Sequence, residues 1–165
     1  MFKRLLIVAG LLGLMYRLWP DPIAPVSAVG GAAPPGFAFS AELDVRRPPL
    51  QEEVDADVTL RVADYVLTPI AQFQVAGLVL AVKRYRTDRE ADLSPLDLAL
   101  GWGPMADADI VERIDVSQGA RFYRWRVDEF PLPRRDIERH SANMHLIPAN
   151  AEVARRLDEL GAARQ

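Results

Sequence analysis

Seven prolines fall between Pro20 and Pro49, with Gly30, Gly31 and Gly36 among them. Proline locks φ and removes an amide donor, so neither a helix nor a central strand runs through such a stretch. Few of its side chains are large enough to pack. The stretch therefore divides the chain. Residues 20–49 are expected to form a semi-extended linker, and any packed core must come from residues 50–165.

What the linker ties down is suggested by residues 1–19. Lys3 and Arg4 precede an uncharged, mostly apolar run from Leu5 to Tyr16, which Arg17 and Pro20 end. This is the layout of a signal peptide or a short membrane anchor. As a helix, Phe2 to Trp19 would be about 27 Å long, close to the roughly 30 Å of a bilayer's hydrocarbon core. Arg17 can snorkel to the headgroups, and Tyr16 and Trp19 suit the interface. We read the segment as an anchor entering the inner membrane through residues 2–19, with the N-terminus cytoplasmic and the domain periplasmic. The alternative is cleavage at "VSA" (26–28) and release to the periplasm. A buried core helix is a third reading, and a poor one given the basic start and the prolines that follow.

Charge and cysteine content exclude further classes. Lys3, Arg4 and Arg17 face Asp21 alone in residues 1–28, so the remainder is more acidic than the overall net charge of -3. An acidic body does not favour a general nucleic-acid binder, whose affinity rests on neutralising phosphates. Without cysteine there are no disulfides, thiolate metal sites or cysteine nucleophiles.

Within the domain, Val58, Leu60 and Val62 alternate with polar residues as in a strand with one wet face. Residues 71–86 read as a central strand, with a helix as the alternative. "LSPLDLALGWG" (93–103) carries helix-start grammar: Ser94 as cap, Pro95 in the first turn, Asp97 near the positive end of the dipole, Gly101 as the stop. A short helix is expected over about 107–114, and a turn at Gly119 feeding a strand to Val127. On that strand Tyr123, Trp125 and Val127 share one face and Phe122, Arg124 and Arg126 the other. "MHLIP" suggests a brief strand. The last helix is expected to start at an Asn150 cap, bury Val153, Leu157 and Leu160, and end at Gly161. Together these elements predict an α+β domain with a small, mostly antiparallel sheet and short helices, preceded by an N-terminal hydrophobic helix and the Pro-rich linker.

The strings "DYVLTPIAQFQVAGLVLAVKRY", "LSPLDLALGWGPMAD", "SQGARFYRWR" and "HSANMHLIPAN", in this order, resemble a family of uncharacterised bacterial envelope proteins with DLALGWG and HSANMH motifs. The resemblance covers about residues 64–150. It implies an N-terminal hydrophobic segment and no established activity or catalytic residue. Members continue past the last helix into further strands, so the resemblance also implies that this chain is truncated.

The candidate chemistry is thin. His140 and His145 are five positions apart, which separates the rings by about 140° on a helix and places them on opposite faces of a strand. Only a turn brings them together, and Ser141 and Asn143 are good turn formers. The bland account is a turn whose polar side chains satisfy buried backbone groups. The sharper one is a hydrolase-like site of His140, Ser141, Asn143 and His145 near Trp102, although no nucleophile elbow is present. Trp102, between two glycines, either plugs a hydrophobic gap or contacts a ligand. Asp107, Asp109 and Glu112 could attract a hard cation, but acidic residues at a helix start account for them equally. "RFYRWR" mixes types used to bind single strands of nucleic acid, and a solvated arginine face explains it more simply. The sequence therefore predicts no cofactor and no metal. Its leading function is a non-enzymatic binding or structural domain, with a protein partner in the envelope. The enzyme and a truncated family member without independent function are the alternatives.

Overall fold

A computed structural model of the chain describes residues 43–54, 59–62, 64–87 and 89–163. The expected membrane segment at 1–19 and most of the linker lie outside the described residues, and so do Phe37 and Phe39, the linker side chains expected to dock on the domain. Among the described residues no helix is long and apolar enough to cross a membrane. The first strand begins at Leu50, directly after the expected linker. The Val45 carbonyl already accepts the Gly103 N–H at 2.7 Å, so the chain is seated on the domain by that point.

The domain is α+β, with small antiparallel sheets and short helices. It opens with a two-stranded ribbon. β1 (Leu50–Glu53) pairs with β4 (Ala71–Gln74), and β2 (Leu60–Val62) pairs with β3 (Tyr65–Leu67) further along. The single strand expected over 71–86 is two strands. β4 ends at Gln74 in the ribbon, and β5 (Leu78–Arg84) starts after Gly77 in a different sheet.

That second sheet organises the domain. Its order is β5–β6–β9, with β6 (Leu96–Gly101) in the middle and β9 (Ser141–Leu146) outside it. The helix expected over 93–103 is therefore a strand, and a central one. Leu96, Leu98 and Leu100 recur with period two, and this alternation wins over the cap grammar because it lets all three leucines face one layer. Pro95 sits just ahead of the strand, where its missing amide costs nothing, and its carbonyl accepts the Tyr85 N–H at 2.9 Å. The Ser94 hydroxyl, the expected cap, is buried with no hydrogen-bond partner among the described residues.

The sheet separates two cores. On the leucine side, Leu96 and Leu98 pack with Val79, Val82, Leu100 and Leu146 against Ala154 and Leu157. The last two lie on α3, the helix Ala151–Ala163. Its Asn150 cap is present, with Oδ1 accepting the Val153 N–H at 3.0 Å. Its buried stripe is not the expected one. Ala154, Leu157 and Gly161 face the sheet, while Val153 and Leu160 are exposed. The small residues win because the helix lies close: a Cβ on Gly161 would stand 3.4 Å from the Leu96 Cδ1. Gly161 is thus inside the helix, not its stop.

On the opposite side a second core gathers Met105, Ile114 and Ile137 with Leu80, Val116, Trp125 and Val127. Its cover is built from a 3-10 turn at Gly103–Ala106, a short helix α1 (Ala108–Val111), the hairpin of β7 (Asp115–Gly119) and β8 (Phe122–Arg126), and α2 (Arg134–Arg139). A register shift between Val79 and Ala81 turns Leu80 to this side. The expected alternation in β8 holds, with Tyr123, Trp125 and Val127 turned inward and Phe122, Arg124 and Arg126 exposed.

Candidate functional site

The two most distinctive strings meet. β6 and β9 pair from Leu96↔Leu146 to Gly101↔Ser141, which sets Asp97 opposite His145 and Ala99 opposite Asn143. The brief strand expected at "MHLIP" begins earlier: β9 runs Ser141–Leu146, so the turn expected around Ser141 and Asn143 is strand instead. "SANMHL" alternates polar and apolar side chains, so Ser141, Asn143 and His145 share the face under the hairpin, with Asp97, Ala99 and Gly101 beside them.

Asp97 is the hub. Its side chain is 0% exposed. His145 Nδ1 lies 2.8 Å from its Oδ1, and Asn143 Nδ2 donates to Oδ2 at 3.2 Å. The Arg121 Nη1 stands 3.5 Å from Oδ1 with its side chain 18% exposed. A carboxylate only accepts, so His145 carries a hydrogen on Nδ1 and donates it to Asp97. Asn143 also receives the Gln118 Nε2 donor at 2.6 Å and donates to the Arg121 carbonyl at 3.3 Å. A buried charge is tolerated only when paired and hydrogen-bonded, and this one has both kinds of partner.

Arg121 reaches the hub because of an unusual turn. β7 and β8 are joined by two residues, Ala120 and Arg121, and both have positive φ, 50° and 66°. The twist of a hairpin demands such values, but asparagine and glycine usually supply them. Each non-glycine residue there costs on the order of 1–3 kcal/mol. The returns are local. The Arg121 N–H donates to the Tyr85 hydroxyl at 3.0 Å, Nη1 donates to the Ser94 carbonyl at 2.7 Å, and the guanidinium lies 3.7 Å from the centre of the Tyr85 ring. The turn thus holds the hairpin down on the sheet. It also begins one residue later than the turn expected at Gly119, which ends β7.

The remaining candidates fall elsewhere. His140 ends α2, and its Nδ1 lies 2.8 Å from the Asp136 carbonyl oxygen. Five strand-like steps separate it from His145, roughly 16 Å. Ser141 is buried, donates to the Ile137 carbonyl at 2.6 Å and lies 3.0 Å from the Tyr123 hydroxyl. Four steps along the strand place it roughly 13 Å from His145, so no serine–histidine relay forms between them. Trp102 is buried, its N–H donating to the His140 carbonyl at 2.9 Å. Asp107 caps α1 through a hydrogen bond from the Asp109 N–H at 3.0 Å. Among the described residues no three histidine, aspartate or glutamate side chains gather to hold a metal ion.

Of the five sequence candidates, Asn143 and His145 join the hub, Ser141 shares its face at a distance, and His140 and Trp102 do not take part. Asp97, Arg121, Gln118 and Tyr85 were missed. A lone carboxylate inside "LDLALG" was the available signal, and it was absorbed by the helix reading. Compared with protein-family models, with curated proteins and with solved structures, the chain matches none.

Proposed function

We propose that the chain is an envelope protein of the uncharacterised bacterial family it resembles, anchored in the inner membrane through residues 2–19 or exported to the periplasm, with a non-enzymatic domain that binds a partner or supports a structure. One observation carries the non-enzymatic part. The polar groups of the two distinctive strings are committed to one another: Asp97 to His145, Asn143 and Arg121, and Ser141 to Ile137 and Tyr123. Such a network fixes a hairpin on a sheet.

A second reading, a hydrolase-like enzyme, is favoured by a single feature. His145 is backed by a buried carboxylate and its side chain is 49% exposed, which is how a general base is presented to a substrate. With Ser141 out of reach, the nucleophile would have to be water or part of the substrate.

Replacing His145 with alanine separates the two. A scaffold role predicts a loss of about 1.5–3 kcal/mol, the worth of a hydrogen bond to a charged group. A catalytic role predicts a neutral or stabilised protein, because active-site groups are held at the expense of stability. Urea unfolding of the full-length chain reads the difference. Placement is tested separately by fractionating cells that express the full chain and a version lacking residues 1–19. The full chain should sediment with membranes and the shortened one should not. A full chain found wholly in the soluble cytosolic fraction would refute the envelope reading.

A further inference from the structure

Beside the second core runs an open groove of about 580 Å³. It is lined by five consecutive residues, Tyr123 to Val127, together with Phe130, Arg134 and Glu138. Consecutive residues of a strand point alternately to opposite faces. They can line one groove together only if the groove lies along the strand's edge, where the backbone itself forms the wall.

The hairpin register shows which backbone groups face it. A two-residue turn makes Gly119 and Phe122 a hydrogen-bonded pair, and the pattern alternates from there. Phe122, Arg124 and Arg126 therefore spend their amides and carbonyls on β7. Those of Tyr123 and Trp125 point away from it, toward the groove. Among the described residues no backbone hydrogen bond outside the ladder reaches either residue. β8 is a sheet edge with a trough beside it, the form in which an extended peptide is taken up as an added strand.

The side chains around the trough select what enters. On the outer face Arg124 is exposed and makes no ion pair among the described residues, while Arg126 is shared with Asp115 at 2.8 Å. On the inner rim the Trp125 and Phe130 rings meet edge to face at 6.1 Å, and the Arg134 guanidinium stands 5.8 Å from the centre of the Trp125 ring. Phe130 is 53% exposed. The net-acidic chain thus places three arginines and an aromatic pair along this edge against two carboxylates, Asp115 on Arg126 and Glu138 on Arg134, each pair at 2.8 Å, so Arg124 carries the excess positive charge. We infer that the free edge of β8 binds an extended segment of a partner protein in which acidic and apolar side chains alternate. The acidic set would lie beside Arg124 and Arg126, and the apolar set on Trp125 and Phe130. This deepens the binding reading above and rests on it.

The test uses the full-length chain and a synthetic peptide alternating glutamate and valine, followed by amide hydrogen exchange. The Tyr123 and Trp125 amides should exchange freely without peptide and slow at least tenfold at saturation, as edge amides do once paired. Arg124→Glu, checked by circular dichroism for an intact fold, should weaken binding by about tenfold. A lysine–valine peptide, which needs no variant, should bind at least as much more weakly. Equal binding of the two peptides, equal binding of a peptide N-methylated at its groove-facing amides, or no added protection at Tyr123 and Trp125 would each overturn the proposal. So would protection that rises with protein concentration alone, because the edge would then be taken by a second copy. Protection without membrane retention of the full chain would keep the groove and refute the placement. Membrane retention without protection would refute the groove alone.

Discussion

Replacing Asp97 with alanine should lower the free energy of unfolding by about 3–5 kcal/mol, the usual cost of removing one partner from a buried charged cluster. For a chain of this size the melting temperature would fall by on the order of 10 °C. The carboxylate is wholly buried, and three donors converge on it from Arg121, Asn143 and His145. Its removal takes the buried negative charge away from the Arg121 guanidinium and an acceptor away from the Asn143 amide. It also loosens a turn whose two positive φ angles are held in place through Arg121. The asparagine variant sharpens the expectation. Asp97→Asn preserves shape, but it offers an NH2 group to neighbours that also donate, so it should recover little of the loss. Thermal melts of the two variants beside the parent decide the matter. A parent-like melt for Asp97→Ala would mean that the hub does not hold the hairpin.

The same residue shows where sequence reasoning stopped. The fold class was legible, because the alternation in 122–127 and the Asn150 cap are local signals that the packed domain leaves in place. "LSPLDLALGWG" was misread because its first residues satisfy helix rules locally. What decides its state is a partner strand whose residues lie 40 to 50 positions later, and no short window of sequence contains both. A strand was expected at "MHLIP", but "SAN" ahead of it was misread for the opposite reason: Ser and Asn are turn formers taken singly, but here they alternate with Ala, Met and Leu. Once 141–146 is a strand, the five-residue spacing of His140 and His145 loses its meaning, and Asp97 becomes the natural partner of His145. Arg121 was not legible at all. Nothing in "GARF" advertises a left-handed pair of residues, and that geometry is sustained by Tyr85, Ser94 and Asn143, which are distant in sequence.

Gly101→Ala carries the other large effect, a loss above about 3 kcal/mol, at the upper end of what overpacking costs. On the covered face of β6 the side chains shrink along the strand, from Asp97 through Ala99 to Gly101, and the 3-10 turn closes down on the smallest. A Cβ on Gly101 would collide with the Met105 carbonyl oxygen and stand 3.0 Å from both the carbonyl carbon and the Cβ of Met105. The obstacle is backbone, and it cannot retreat cheaply. The Met105 N–H is tied to the Trp102 carbonyl at 3.0 Å and the Trp102 N–H to the His140 carbonyl at 2.9 Å. Gly103 adds a second constraint, since its φ of +55° is left-handed and its Cα side faces the His140 ring. Displacing the turn would also lift Met105, which is 1% exposed, out of the second core. Gly119 provides the control: nothing lies within 4 Å of its would-be Cβ, so Gly119→Ala should stay within about 0.5 kcal/mol of the parent. If denaturant titration gave both alanine variants the same midpoint, the cost would lie in glycine's backbone freedom. Only a large gap between them places it in the contact between the central strand and the turn above it.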